Sequence, residues 1–250
     1  MSYVSQITNI FKAFFQSLGF VVKHKLYWYF LPAVLLAILF YYSMQGGQSL
    51  SNKLTFMDDW WVIGWIIRSM ESGIKMISFL LFEIVILVLL TPINSYFAEK
   101  VKEDITGEKV DFGFGQFINS IFRSIKLFAV AFISEIILLL FVWILSFILG
   151  DIFYKVVAFI VSSFFIGFSF FDFSLEIDGK SASSSWKFGR TNKLLCLITG
   201  MIFSAAIYIP EETGFLILFL VTISLVPHML TIAATQVYYK DYKQKNAPIE

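Results

Sequence analysis

The sequence predicts an all-α integral membrane protein. It reads as a helical bundle of about six hydrophobic segments with two tight helical hairpins, plus interfacial amphipathic helices. Three observations predict this. Apolar residues make up 58% of the 250 positions and charged residues only 15%, against roughly 25% charged in an ordinary soluble domain. Mean hydropathy is +0.78, more apolar surface than a water-facing exterior of this size can hide. The apolar residues also collect in long runs, several of them long enough to cross a ~30 Å hydrocarbon core.

Taken in order, residues 4–22 carry Val4, Ile7, Ile10, Phe11, Phe14, Leu18 and Val22 at helical spacing, with Ser5, Asn9, Lys12 and Gln16 between them. This pattern predicts an amphipathic helix lying in the membrane interface. Segment A is the uncharged run 26–44. Residues 45–53 are polar, and Trp60, Trp61 and Trp65 beside Asp58, Asp59 and Arg68 read as an interfacial belt. Segment B is 76–98, interrupted by Pro92 and Asn94. Segment C is 127–149, followed by a short polar break at 150–155. Segments D (156–171) and E (194–209) are short for a full crossing. A tight turn is expected at 210–213, and segment F is 214–239 with Pro227 and His228 in mid-run. C–D and E–F are the two hairpins. Ser163 and Gly167 on D, and Gly200 and Ser204 on E, have the small-xxx-small spacing that lets helices approach closely.

The whole chain, 1–250, reads as a single membrane domain. Residues 1–25 form the interfacial helix, 26–239 the membrane segments, and 240–250 a cytoplasmic tail. No cleavable signal peptide is expected, because the first 25 residues are mixed and no A-x-A-like site comes after them. With six segments, 15 of the 19 Lys and Arg residues fall on the side of the two termini. The positive-inside bias therefore predicts cytoplasmic termini.

Net charge is +1, so no basic field supports nucleic-acid binding. The one cysteine, Cys196, makes no intrachain disulfide and reads as a packing residue. His24 and His228 are far apart, and no metal site or other cofactor is expected. The motifs of serine hydrolases, zinc proteases, P-loops and dinucleotide folds are absent, so no enzyme is expected.

Glu83 and Glu135 lie well inside long apolar runs. They are candidates for pore-lining or proton-coupling groups, or for neutral carboxyls that clamp helices. Lys23, His24 and Lys25 stand where the interfacial helix meets segment A. They suit either a lipid-phosphate anchor or an anion site. Arg190, Asn192 and Lys193 precede segment E, after the serine-rich stretch 181–185. A serine cap would bring a helix dipole to these cations, which again suits an oxyanion or a cytoplasmic anchor. His228 beside Pro227 reads as a packing residue at a kink.

Four stretches in order then resemble one family. They are the basic cluster with Leu31-Pro32, and Thr91-Pro92-Ile93-Asn94 leading to Ala98-Glu99-Lys100 and Ile105-Thr106-Gly107. They continue with Phe171-Asp172-Phe173 and Arg190-x-Asn192, and end with Ile209-Pro210 and Ala234-Thr235. The chain resembles the CysZ-type sulfate permeases, which belong with the etoposide-induced membrane proteins. The resemblance covers most of the chain. It implies a helical bundle whose hairpins enter the membrane partway. It also implies sulfate uptake across the bacterial inner membrane for sulfur assimilation, with no nucleotide-binding domain. Where the family places Gly and two Arg, this chain has Val22, Lys23, His24 and Lys25.

The expected function is thus an inner-membrane channel or permease for sulfate or a similar oxyanion, embedded in lipid, with homo-oligomerisation left open. The alternative is a membrane-organising protein without transport, whose basic loops bind anionic lipid or a partner protein.

Overall fold

The computed structural model describes residues 3–38, 88–109, 114–213 and 216–243. Glu83, the tryptophan belt and the first part of segment B lie outside the described residues.

Helix α1 (Tyr3–Lys23) buries Ile10, Ala13, Ser17, Phe20 and Val21 against the bundle. A second stripe of apolar residues, among them Val4, Phe15 and Val22, stays exposed. The chain then bends by 113° into α2 (Leu26–Ile38), whose first turn, Leu26–Phe30, is a 3-10 helix. Lys25 makes the corner with φ 54° and ψ 37°, a left-handed conformation that side chains with a Cβ rarely adopt.

Helix α3 (Thr91–Thr106) starts with Pro92 in its first turn and stops at Gly107, φ 72°. Both are ordinary punctuation for a helix. Segment B is therefore interrupted at Pro92, as its sequence implies. The residues from Thr91 onward form a separate helix, which buries polar Thr91, Asn94, Ser95 and Glu99. Helix α4 (Phe114–Leu149) and helix α5 (Asp151–Ile177) form the C–D hairpin. Its turn is the single residue Gly150, φ 85°, shorter than the six-residue break expected. Helix α5 also runs past the expected end at Phe171. The charge of Asp172 closes the apolar window in the sequence, yet Asp172 is buried and paired inside the bundle, so the helix continues. At 27 residues α5 is long and apolar enough to cross a membrane, which corrects the reading of D as a short segment.

Helix α6 (Ala182–Thr191) is capped by Ser181, whose side chain accepts a hydrogen bond from Ser184 N at 3.3 Å. The serine cap thus starts α6 and not segment E. Helix α7 (Lys193–Thr213) continues through the stretch expected as a turn at 210–213. Helix α8 (Leu216–Val237) contains Pro227 and leads into a π-helical turn, Tyr238–Lys243. Among the described residues three helical stretches are long and apolar enough to cross a membrane, Ile121–Leu149, Asp151–Ile177 and Leu220–Lys243. The bent α1–α2 pair makes a fourth if it is one span.

The architecture centres on α5 and α8. Helix α5 packs against α3, α4, α6, α7 and α8, while α1 lies across α8 and α7. The α5–α7 contact is backbone on backbone. A Cβ on Gly167 or Gly200 would overlap the carbonyl oxygen of Cys196 or Ser163, and Ser163 Oγ donates to Ser204 Oγ at 3.4 Å. The two small-xxx-small pairs therefore meet each other. The outer face of α4, including Ile133, Phe141 and Phe147, is exposed, as suits a lipid-facing surface.

Candidate functional site

The basic corner forms because α1 ends at Lys23 and α2 starts at Leu26, leaving His24 and Lys25 in the bend. Helix α3 brings Asp104 beneath it. Lys23 Nζ lies 2.7 Å from Asp104 Oδ1, and His24 Nε2 lies 3.3 Å from the same oxygen. The hydrogen bond from Lys23 holds the Asp104 carboxyl below its ordinary range. One carboxylate thus offsets part of the corner's charge. Lys25 is exposed and has no ion-pair partner among the described residues.

The corner leads directly to a buried polar pair. Leu26 and Phe30 of α2 pack with Phe20, Phe97, Val101 and Ile232. The Phe30 and Phe97 rings each lie 5.0 Å from the imidazole of His228. His228 Nδ1 and Asn94 Oδ1 are 2.7 Å apart, both residues fully buried. An amide oxygen only accepts, so Nδ1 carries the proton in this arrangement. Asn94 Nδ2 and His228 Nε2 have no hydrogen-bond partner among the described residues. Asn94 stands two residues after Pro92 at the start of α3, and His228 is next to Pro227 within the continuous helix α8. Buried polar groups without partners are uncommon and costly.

Below the pair the polar character continues along α8 through Thr231 and Thr235, both buried. Ser174 Oγ of α5 lies 2.8 Å from Thr235 Oγ1, and Ser95 Oγ of α3 donates to Glu176 Oε2 at 3.4 Å. A polar seam therefore descends between α3, α5 and α8 to the end of the bundle where α5 and α8 finish.

The second basic cluster lies elsewhere. Asn192 and Lys193 share a cleft with Tyr3 and Gln6 of the first turn of α1. Lys23 is at the other end of that helix, about 26 Å away at 1.5 Å per residue. The two clusters do not form one site. Asn192 Nδ2 donates to Phe188 O at 3.0 Å and caps α6. Arg190 and Lys193 are exposed. Glu135 sits on the inward face of α4 at 6% exposure. Ser162 of α5 is a hydrogen-bonding neighbour, and one carboxyl oxygen lacks a partner among the described residues.

Two constellations had no reading in the sequence. One is Asn94–His228, whose only local signal is a polar residue beside a proline within each apolar run. The other is Arg123 of α4, whose Nη2 donates to Asp172 Oδ1 at 2.8 Å and to Ser185 Oγ at 3.1 Å, while Nη1 donates to the Lys180 carbonyl. It ties α4, α5 and α6 together at one end.

Comparison with curated proteins gives no match. The family model described as sulfate transporter CysZ/etoposide-induced protein 2.4 matches residues 13–226, a stretch that holds the basic corner, Asn94, Arg123–Asp172 and the crossing of α5 with α7. This multi-pass helical membrane protein belongs to the sulfate transporter CysZ/etoposide-induced protein 2.4 family, a family of transporter type.

Proposed function

We propose that the chain carries sulfate, or a similar oxyanion, across the bacterial inner membrane for sulfur assimilation, with both termini in the cytoplasm. The observation that carries this reading is the family match over residues 13–226. The geometry supports an anion-gathering vestibule on the side of the termini. Lys25, with Lys23 and His24, gathers the anion at the corner. Phe30 and Phe97 separate the corner from Asn94 and His228, and the polar seam returns from that pair to the ends of α5 and α8, on the side of the termini. The Asn94 amide, free among the described residues, and the partially offset cations favour release over trapping, because an ion must also leave the site. Glu135, away from this seam, serves as a helix clamp against α5.

One observation favours the alternative of a membrane-organising protein without transport. Asp104 already engages Lys23 and His24, as a structural corner would. Isothermal titration of sulfate into the purified chain and into Lys23→Ala/Lys25→Ala decides between them. The transport reading expects weaker binding in the double variant by about 1–3 kcal/mol, with topology unchanged in reporter fusions. Equal affinity in the two proteins removes the corner from the site and leaves Arg190 and Lys193 as the next candidates.

A further inference from the structure

A cleft of about 560 Å³ opens between the first turns of α1, the middle of α4 and α5, and the start of α7. That volume falls in the range of small-molecule sites, ~300–1,000 Å³. Its two ends differ in chemistry. Leu138 of α4, Ile160 and Val161 of α5 and Leu197 of α7 make an apolar floor, while Gln6, Thr191 and Lys193 make a polar rim. The ends also differ in depth. Helices α5 and α7 run antiparallel, with Gly167 against Cys196 and Gly200, and Gly200 against Ser163. Lys193 therefore stands level with about residue 170 of α5. The apolar floor at Ile160 lies about ten residues, or about 15 Å, further into the bundle.

Lys193 is exposed and has no ion-pair partner among the described residues. It is also the first residue of the 21-residue α7, where the helix dipole adds to its charge. We infer that this cleft binds an anionic phospholipid, with the phosphate at Lys193 and an acyl chain along Leu138, Ile160 and Leu197. A free inorganic oxyanion would use the rim alone and leave the apolar floor uncovered. An amphiphile with a negative head satisfies both ends at once, and its head lies at the level where lipid phosphates and basic residues meet. The site is separate from the basic corner, so loss of sulfate binding at Lys23 and Lys25 leaves it untouched.

The test is native mass spectrometry of the full chain purified in detergent and titrated with phosphatidylglycerol or phosphatidylcholine, each with and without excess sodium sulfate. The expected result is one tightly retained phosphatidylglycerol per chain, bound about tenfold more tightly than phosphatidylcholine. Lys193→Gln should abolish that selectivity. Leu138→Trp, a change at an exposed position of α4, should narrow the floor and reduce retention of both lipids. Equal retention of the two lipids by the wild type would overturn the inference. Displacement of phosphatidylglycerol by sulfate would overturn it too, because the rim would then be a site for the free oxyanion. Unchanged binding in both variants would place any lipid elsewhere and equally overturn it.

Discussion

Replacing Gly200 with alanine tests the feature on which the bundle's centre depends. A Cβ there would overlap the carbonyl oxygen of Ser163 and come within 2.9 Å of Gly167 N. These are backbone atoms of a buried helix, so no side chain can rotate away. Helices α5 and α7 must part by about 1–2 Å to reach ordinary contact. Overpacking typically costs about 1–3 kcal/mol, occasionally more, and a backbone obstacle belongs at the upper end. Against it, Gly→Ala in a helix interior gains up to about 1 kcal/mol. The net expectation is a loss of about 2 kcal/mol. Gly19→Ala is the matched control. Gly19 is also helical, but nothing lies within 4 Å of its added Cβ, so only the propensity gain remains. Thermal unfolding of both variants in the same detergent provides the measurement. Gly200→Ala should unfold at lower temperature than the wild type, and Gly19→Ala at the same or a higher temperature. A Gly200→Ala protein as stable as Gly19→Ala would refute the close crossing.

Two further outcomes rest on ion pairs. Arg123→Ala leaves Asp172, 2% exposed at its side chain, as an uncompensated buried charge, so stability should drop by about 3 kcal/mol or more. Arg123→Met with Asp172→Leu should recover most of that loss in the same unfolding assay, whereas a double variant no better than the single one would show that the pair does more than neutralise. The second concerns acid. The folded-state pKa of Asp104 is lowered, chiefly by its hydrogen bond from Lys23. Its contribution is therefore fully present above the unfolded value of 3.8 and is lost as pH falls through the lower folded value. The stability difference between wild type and Asp104→Asn should be constant near neutrality and vanish in acid. A difference that grew on acidification would contradict the pairing.

The parts of this fold legible in the sequence are those with local causes. The bend between α1 and α2 sits at the basic cluster because the amphipathic period ends there and the uncharged run begins. Ser163, Gly167, Gly200 and Ser204 announce a close crossing by spacing alone, and the structure adds only that the two pairs choose each other. The features that were not legible depend on partners distant in sequence. Asp172 looks like the end of a membrane segment because a hydropathy window cannot know that Arg123, 49 residues earlier, will neutralise it. Asn94 and His228 are 134 residues apart. Each looks like a kink residue by itself, and only the packing of α3 on α8 makes them a pair. The basic residues illustrate the converse. Lys23–Lys25 and Arg190–Lys193 look equivalent as cation clusters beside helix ends, yet α1 separates them along its length, and Asp104 engages only the first.

Sulfate flux is the direct readout of oxyanion movement by this chain. The purified chain should be reconstituted into liposomes, with insertion verified by protease accessibility, and uptake of radiolabelled sulfate measured over time. Uptake should saturate with sulfate concentration, exceed that of protein-free liposomes, and fall in Lys23→Ala/Lys25→Ala. Uptake by correctly inserted wild-type protein no faster than in protein-free liposomes would contradict sulfate transport by this chain.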